Sequence, residues 1–403
     1  MIWDVSVPLY TFKTPHVAYR QRINQNAIGP SISEKECFKR TVSALDDNLE
    51  IPIRGSLTQK KIIETVLGMA SNQESIHSIV HCMDEIPCET SLRHHLKKLD
   101  FDLLQENNVD ILTSDAISIL NRRKSYKFAI DFTLDPYYGY TTSENSDYIV
   151  RNKKKKSTND FYGYATLYVI NKNRQLTLSI LPMQPGLSSA YYVAYFLDVI
   201  RTLNLKTEVL CLDRGFYSKK VIKLLQLSKV PHIIPVKRHG KRMIELLEGR
   251  GSRFETYTMK DKNCPVTFKL AVVTTYSMGR RGKKQALNYG YVVFGINWSS
   301  QKIFNVYRTR FAIESSYRMR NRSKPKTCSK SVKLRYFYAI VSMLLKNIWL
   351  ALAWEYFTKN QRGPTVINLR VFRFEWFLNL VWDYMKKLRK FKTRIPSYRV
   401  PID

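Results

Sequence analysis

Near Arg122 the spacing of apolar residues changes from a helical period to the two-residue period of strands, and this switch limits what the chain can fold into. Upstream, from Ser33 to about Leu120, the pattern is helical. Downstream, Tyr126-Lys-Phe-Ala-Ile-Asp-Phe-Thr-Leu reads as a strand, with Phe128, Ile130, Phe132 and Leu134 on one face. A basic loop follows, Arg151-Asn-Lys-Lys-Lys-Lys. Next comes a hairpin, Gly163 to Ile170 and Gln175 to Leu181, joined by the turn Asn171-Lys-Asn. A helix is expected from Ser188 to Leu203, a buried-type strand over Glu208-Val-Leu-Cys-Leu, a helix from Ser218 to about Leu227, and a strand at His232-Ile-Ile-Pro-Val. Three strands able to pair antiparallel, followed by alternating helices and strands, predict an α/β fold: a mixed sheet flanked by helices.

The remaining segments complete the domain plan. Residues 1–120 form a helical N-terminal domain, and 121–237 the first part of the sheet domain. Residues 238–300 interrupt it as a β-rich insertion, with strand-like stretches at Pro265 to Tyr276 and Ala286 to Ile296. Residues 301–360 return to helix as the sheet domain's C-terminal part, and 361–403 form a basic tail. Within the first domain, helices at Glu74 to Asp84 and Thr90 to Leu99, separated by Glu85-Ile-Pro-Cys-Glu, fit a helix-turn-helix with Thr90 as N-cap. Its second helix carries Arg93, His94, Lys97 and Lys98, a basic face suited to DNA and equally to solvent. Residues 1–30 show no clear periodicity.

The charge balance points to a partner. The 403 residues carry 66 Lys and Arg against 33 Asp and Glu, a formal net charge of +33. So basic a chain repels itself when compact, and bound phosphates relieve this by releasing their counterions. Nucleic acid is the expected partner, through the basic runs 151–156, 279–284 and 386–394; a basic, solvated surface is the alternative reading of each run. The six cysteines form no C-x-x-C pair, which argues against a zinc ribbon or a disulfide framework and fits a reducing compartment. His77, His81, Cys82, Cys88, His94 and His95 cluster in the sequence, but their spacings match no standard zinc pattern. The N-terminus lacks the features of a signal peptide. The apolar stretch Tyr336 to Phe357 is interrupted by Lys346 and Asn347 and reads as a buried helix, so no membrane association is expected. The chain is therefore expected in the cytoplasm, associated with the nucleoid.

Three acidic residues stand out against this background. Asp131 lies in the middle of an apolar strand, where a carboxylate is costly unless a cation compensates its burial. Asp213 ends another apolar strand, immediately before Arg214-Gly215, and in open α/β sheets ligands collect at strand carboxyl ends. Taken singly, each also reads as a turn residue or helix cap, and for Asp213 alone that plainer reading is the stronger one. Asp135, before Pro136, reads as the residue that ends its strand. The third acid lies in Tyr307-Arg-Thr-Arg-Phe-Ala-Ile-Glu314, where Tyr307, Arg310, Glu314 and Asn321 share one helix face. Arg310 and Glu314 alone would be an ordinary surface ion pair.

In order and setting, Ala-Ile-Asp131-Phe-Thr, Leu-Asp213-Arg-Gly-Phe-Tyr and Tyr307-x2-Arg310-x3-Glu314 resemble the DDE insertion-sequence transposases, the RNase H-like relatives of retroviral integrases. The resemblance covers about residues 125–350. One subgroup carries Tyr-x2-Arg-x3-Glu-x6-Lys around the last acid; here Asn321 stands at the Lys position, and Lys324 follows three residues later. The resemblance implies an RNase H-like sheet and an endonuclease that cuts and joins DNA. It implies Asp131, Asp213 and Glu314 as catalytic metal ligands, and Mg2+ or Mn2+, as two ions, as cofactor. It further implies Tyr307, Arg310, Arg318 and Lys324 at the DNA; Arg93 and Lys97 are expected there from the helix-turn-helix reading of the helical domain, which carries no motif of the family. The implied partners are the double-stranded DNA of element ends and target, bound by a homodimer. A nuclease of the same fold without strand transfer, and a DNA-binding protein without catalysis, are the competing readings.

Overall fold

The computed structural model describes residues 31–260, 265–278, 284–359 and 366–394. They divide into two units. One comprises Leu120–Tyr138 and Ser146–Tyr317; the other takes the described residues up to Ile119, Gly139–Asn145 and those from Arg318 onward.

The N-terminal helices are α1 (Glu34–Asp46), α2 (Gln59–Ser71), α3 (Ile76–Cys82), α4 (Glu89–Lys97), α5 (Phe101–Glu106) and α6 (Asn108–Thr113). Their starts are set by side-chain caps: Ser33 accepts from Glu36 N at 3.2 Å, Thr58 from Lys61 N at 3.3 Å, and Ser75 from Ser78 N at 3.1 Å. Helix α4 departs from the expected pattern. It begins at Glu89 with Cys88 in the cap position and no side-chain cap bond, so Thr90 lies inside the helix.

The other unit is built on one sheet. Its strands are β1 (Ser125–Pro136), β2 (Ile149–Lys155), β3 (Thr158–Val169), β4 (Thr177–Pro182), β5 (Lys206–Leu212), β6 (His232–Pro235), β7 (Arg253–Met259), β8 (Val266–Met278) and β9 (Lys284–Phe294). Its helices are α7 (Ser189–Thr202), α8 (Lys219–Leu227), α9 (Lys241–Leu246), α10 (Ser300–Arg308) and α11 (Ala312–Arg320), the last belonging to this unit as far as Tyr317. Among the described residues the strand order is β2-β3-β1-β5-β6-β9-β8-β7, with β4 beside β2 on the outer edge of β3. β1, β3 and β4 pair antiparallel, while β5 joins β1 and β6 joins β5 in parallel. The architecture is a mixed α/β sheet with helices packed on it.

Several expectations are corrected here. The basic run 151–156 is not a loop: its residues through Lys155 lie in edge strand β2 with every side chain exposed. The turn to β3 is made by Lys156 and Ser157, with φ of 49° and 67°. An edge strand accepts such charge because only one of its edges is paired, and charge there discourages further pairing. Asp135 does not end its strand either; it is buried within β1, opposite Tyr162. Residues 238–300 supply α9 and then β7, β8 and β9, which continue the main sheet past β6 rather than interrupting it: β9 pairs antiparallel with β6 from His232↔Phe294 to Pro235↔Tyr291.

Side chains alternate across the sheet. Ala129, Tyr168, Val209, Cys211, Ile233, Val273, Tyr291 and Val293 meet Ile303, Val306, Tyr307 and Ile313 of α10 and α11 in one buried cluster. Phe132 points to the opposite face, where it contacts Tyr192 of α7 at 5.6 Å and stacks on Phe216 at 4.6 Å. Asp131, one residue before Phe132, therefore shares the face of Ala129 and of α10.

The chain then forms α12 (Val332–Tyr356), the short pair β10 (Thr358–Lys359) and β11 (Val366–Ile367), and α13 (Phe374–Leu388). All belong to the helical unit, so of residues 301–360 the part up to Tyr317 stays with the sheet as expected and the part from Arg318 does not. α12 is long and apolar enough to cross a membrane, yet 94% of its most apolar window is buried against its own unit, where it packs on α1, α2, α4 and α6. Residues 361–403 are not simply a basic tail. Phe374, Phe377, Leu378, Val381 and Met385 recur at helical spacing and bury one face of α13 against α1 and α2.

Candidate active site

The sheet brings two of the three acids together by register. β1 and β5 run parallel with Ile130 opposite Leu212, so the next residue on each chain is an acid, Asp131 and Asp213. Asp213 stands just past the carboxyl end of β5 and opens a tight 3-10 turn, Arg214–Phe216, with Phe216 N donating to Asp213 O at 3.0 Å. The third acid arrives from the helices covering this face. Ser299 caps α10 by accepting from Lys302 N at 3.3 Å, and Ile303, Val306 and Tyr307 seat that helix on the sheet. A 3-10 turn, Thr309–Phe311, breaks the expected continuous helix before α11 begins at Ala312. Ile313 anchors α11 in the buried cluster, and Glu314 stands in its first turn.

Arg310 is the centre of the arrangement. Its Nη1 donates to Asp131 Oδ2 at 3.0 Å, while its Nη2 lies 3.5 Å from Asp213 Oδ1 and 3.7 Å from Glu314 Oε1. Three carboxylates from β1, the end of β5 and α11 thus converge on one guanidinium. The guanidinium carbon also sits 5.6 Å from the Tyr307 ring centre and 5.4 Å from that of Phe311. The Arg310 Nε is buried and has no hydrogen-bond partner among the described residues. The acids differ in depth: the Asp131 side chain is 14% exposed, those of Asp213 and Glu314 44% and 52%. Asp131 Oδ1 accepts from Phe132 N at 2.9 Å, leaving Oδ2 to Arg310.

Burial pushes the Asp131 carboxyl up to about 6; Arg310 opposes this, and Asp213 and Glu314 reinforce it. Burial alone would lower the Arg310 guanidinium, but Tyr307, Asp131 and Asp213 together hold it above its ordinary value. The Tyr307 hydroxyl is raised by burial, with Arg310 acting in the opposite sense. Asp131 is thus the buried, strongly perturbed member and the other two acids are the accessible ones.

The donor set is oxygen only, which suits hard divalent cations. Two ions about 3.5–4 Å apart could share three such acids, because different acids then serve different ions. A cation already stands between the carboxylates as the Arg310 side chain, so the residues present fit positive charge at this point.

The amino-acid sequence matches no family model and no curated protein. A solved structure does match: piggyBac transposase in a synaptic complex with hairpin DNA, with a TM-score of 0.50 and 12% identity, over 90% of this chain and 83% of that one. The chain shares its fold with piggyBac transposase. At this identity the likeness speaks for the fold alone.

The other expected DNA contacts are divided between the two units. Tyr307 is in the site but buried among Tyr291 and Arg310, its ring 5.1 Å from that of Tyr291. Arg318, exposed, and Lys324, half-buried, belong to the helical unit, as do Arg93 and Lys97. Arg93 pairs with Glu89 at 2.6 Å, and Lys97 is exposed on the same helix. Run 279–284 lies outside the described residues except for Lys284, at the start of β9. In run 386–394, Lys387 pairs with Glu34, Lys390 with Glu85, Lys386 with Asp383, Lys392 with Asp84 and Arg389 with Glu64, so much of its charge is balanced within the fold. Two neighbours of the site carry no motif in the sequence: Thr166, opposite Asp131 on β3, and Tyr317, whose hydroxyl lies 2.6 Å from Thr166 Oγ1. Tyr317 follows Glu314 by one helical turn, which is the one signal that marks it.

Proposed function

We propose that this chain is a DDE-type transposase, an enzyme that cleaves DNA at the ends of a mobile element and joins the freed 3′-OH to target DNA. The observation that carries this reading is the convergence of Asp131, Asp213 and Glu314 on the Arg310 guanidinium. Support comes from the shared fold with piggyBac transposase and from the net charge of +33. The strand order β4-β3-β1-β5-β6, antiparallel and then parallel, is read as an RNase H-like core. The partner proposed is double-stranded DNA, held by a homodimer, in the cytoplasm and associated with the nucleoid.

Asp131, Asp213 and Glu314 would hold two divalent ions, Mg2+ or Mn2+. When bound, such ions supply a Lewis-acid clamp on the attacking and leaving oxygens of an in-line phosphoryl displacement. The chain's own residues set the conditions for it. β1 and β5 fix two carboxylates on rigid neighbouring strands, which holds the reacting phosphate's surroundings in one geometry. Asp131, buried and hydrogen-bonded to Phe132 N, keeps one orientation, while Asp213 and Glu314 face solvent and can meet DNA. Arg310 balances the three acids when no other cation is present. With DNA bound, the same side chain is placed to hold a phosphate oxygen. Exposed Arg151 and Lys153 to Lys155 on β2 would grip the DNA backbone without reading its sequence.

The test is incubation of the purified chain and Mg2+ with duplexes carrying the flanking ends of its own element and with a second, target duplex. Mg2+-dependent cleavage followed by joining of the 3′-OH end supports the proposal. Cleavage without joining marks a nuclease of the same fold, and binding without cleavage marks a DNA-binding protein.

A further inference from the structure

We infer that His77, His81 and Glu89 form a transition-metal site, with Zn2+ the best-matched ion, that clips helix α3 to the start of α4. The ligand atoms of these three residues all lie within 4.8 Å of one another. Helix α3 buries Ile76 and Ile79 on its inner side, which turns His77 and His81, one turn apart, outward together. Their rings are 4.3 Å apart at an interplanar angle of 66°. Glu89, the first residue of α4, reaches across to them, with Oε2 2.9 Å from His77 Nδ1. Its other oxygen, Oε1, is held by Arg93 at 2.6 Å, so one oxygen is oriented and the other is presented to the imidazoles.

The chemistry selects the ion. Two imidazoles and one carboxylate are a borderline donor set that suits Zn2+ and its neighbours, whereas Mg2+ prefers oxygen ligands alone. Bonds of about 2.0–2.1 Å in a tetrahedral shell set donors about 3.3 Å apart, and ligand atoms that already lie within 4.8 Å of one another reach this by small side-chain rotations. The backbone beneath is already held. Lys392 N donates to Cys82 O at 2.9 Å, Asp84 N to Lys390 O at 3.1 Å and Glu85 N to Arg389 O at 3.2 Å, all in the link between the two helices. Three protein ligands leave a fourth position for water on the exposed side.

Sequence spacing concealed this site, because the ligands are one helical turn and then a chain reversal apart and fit no standard zinc pattern. The clip belongs to the helical unit and does not depend on the acids of the sheet unit. Its consequence is positional: an ion that fixes Glu89 Oε2 also fixes Oε1, and with it Arg93 on the basic face of α4.

The test uses the full-length chain without a polyhistidine tag, stripped of metal by a chelator, in excess Mg2+ so that oxygen-only sites are filled. Co2+ is titrated and followed by its visible absorption, then displaced by Zn2+ in a calorimeter. One equivalent should bind. His77→Ala, His81→Ala and Glu89→Gln should each weaken binding by at least the roughly tenfold that losing even an outer partner of a metal ligand costs. Asp213→Asn and Cys88→Ser should leave it unchanged. Far-UV circular dichroism of each variant shows whether the helices persist, and since His77 and His81 are exposed, they should. No saturable binding, binding that survives both histidine substitutions, or a loss that follows Asp213→Asn or Cys88→Ser instead, overturns the assignment.

Discussion

Replacing Arg310 with Ala removes the guanidinium that three carboxylates share. The side chain is 6% exposed and its closest partner, Asp131, 14% exposed, so this is the removal of one member of a buried pair. Such losses cost about 3–5 kcal/mol, because the partner charge is left buried and uncompensated. The contacts to Asp213 and Glu314 are half-exposed, and each adds no more than about 1 kcal/mol after solvent screening. Asp131 relieves part of the strain by taking up a proton, which its raised carboxyl favours. The expected net loss is about 2–4 kcal/mol near neutral pH. Native-state hydrogen exchange at the β1 and β5 amides, which reports on the sheet unit, is the suitable assay. Adding Asp131→Asn to the variant should restore much of the loss, since the uncompensated charge is then gone. Mg2+ or Mn2+ should also stabilise the single variant, by about 2.7 kcal/mol at a concentration one hundred times the dissociation constant. A loss below about 1 kcal/mol, or a double variant no more stable than the single one, would refute the view that Arg310 balances this site.

Three further outcomes are expected. His232 is fully buried, with Nδ1 against Val230 O at 2.8 Å, and burial holds its pKa down to about 4. The neutral form is favoured in the fold, so stability is complete above the unfolded value near 6.5 and falls as pH drops toward 4, by up to about 3 kcal/mol; His232→Phe should flatten urea-denaturation midpoints across that window, and an unchanged slope would exclude His232 as their source. Gly290 in β9 leaves no room for a Cβ, which would lie 2.6 Å from Leu247 Cδ2 and 2.7 Å from Val236 Cγ2, so Gly290→Ala should cost about 1–3 kcal/mol in the same titration. Neutralising Lys153, Lys154 and Lys155 should reduce the slope of log affinity for duplex DNA against log salt by about one unit for each phosphate no longer neutralised, whereas neutralising Lys387 and Lys390, which already pair with Glu34 and Glu85, should leave the slope nearly unchanged.

What the sequence made legible is local. The alternation around Asp131 and the apolar run ending at Asp213 identify their strands because each is encoded by its own residues. Glu314 is found through its spacing from Arg310. Long-range pairing is another matter: nothing in Ala286 to Phe294 says that β9 pairs with β6 and extends the sheet. The same holds for α12, whose all-round apolar surface announces burial without naming the partners α1, α2, α4 and α6. Charge misled twice. Arg151 to Lys155 reads as a loop because every residue is polar, yet an exposed edge strand tolerates that composition. Lys386 to Lys392 reads as a free tail because its acidic partners, Glu34, Glu64, Asp84 and Glu85, are hundreds of residues away. At the site, the role of Arg310 as the point where all three acids meet was not visible from its helical pairing with Glu314, because Asp131 and Asp213 reach it only through the tertiary fold.

The central claim is tested most directly by Asp213→Ala, measured under single-turnover conditions with Mg2+ and end-bearing DNA. Strand cleavage and 3′-OH joining should fall together, because removing one carboxylate weakens the clamp on attacking and leaving oxygens alike. DNA affinity should hold or rise slightly as a negative charge near phosphate is removed. Cleavage at the wild-type rate would reduce Asp213 to the residue that opens the Arg214–Phe216 turn, and would contradict its role as a metal ligand of a transposase.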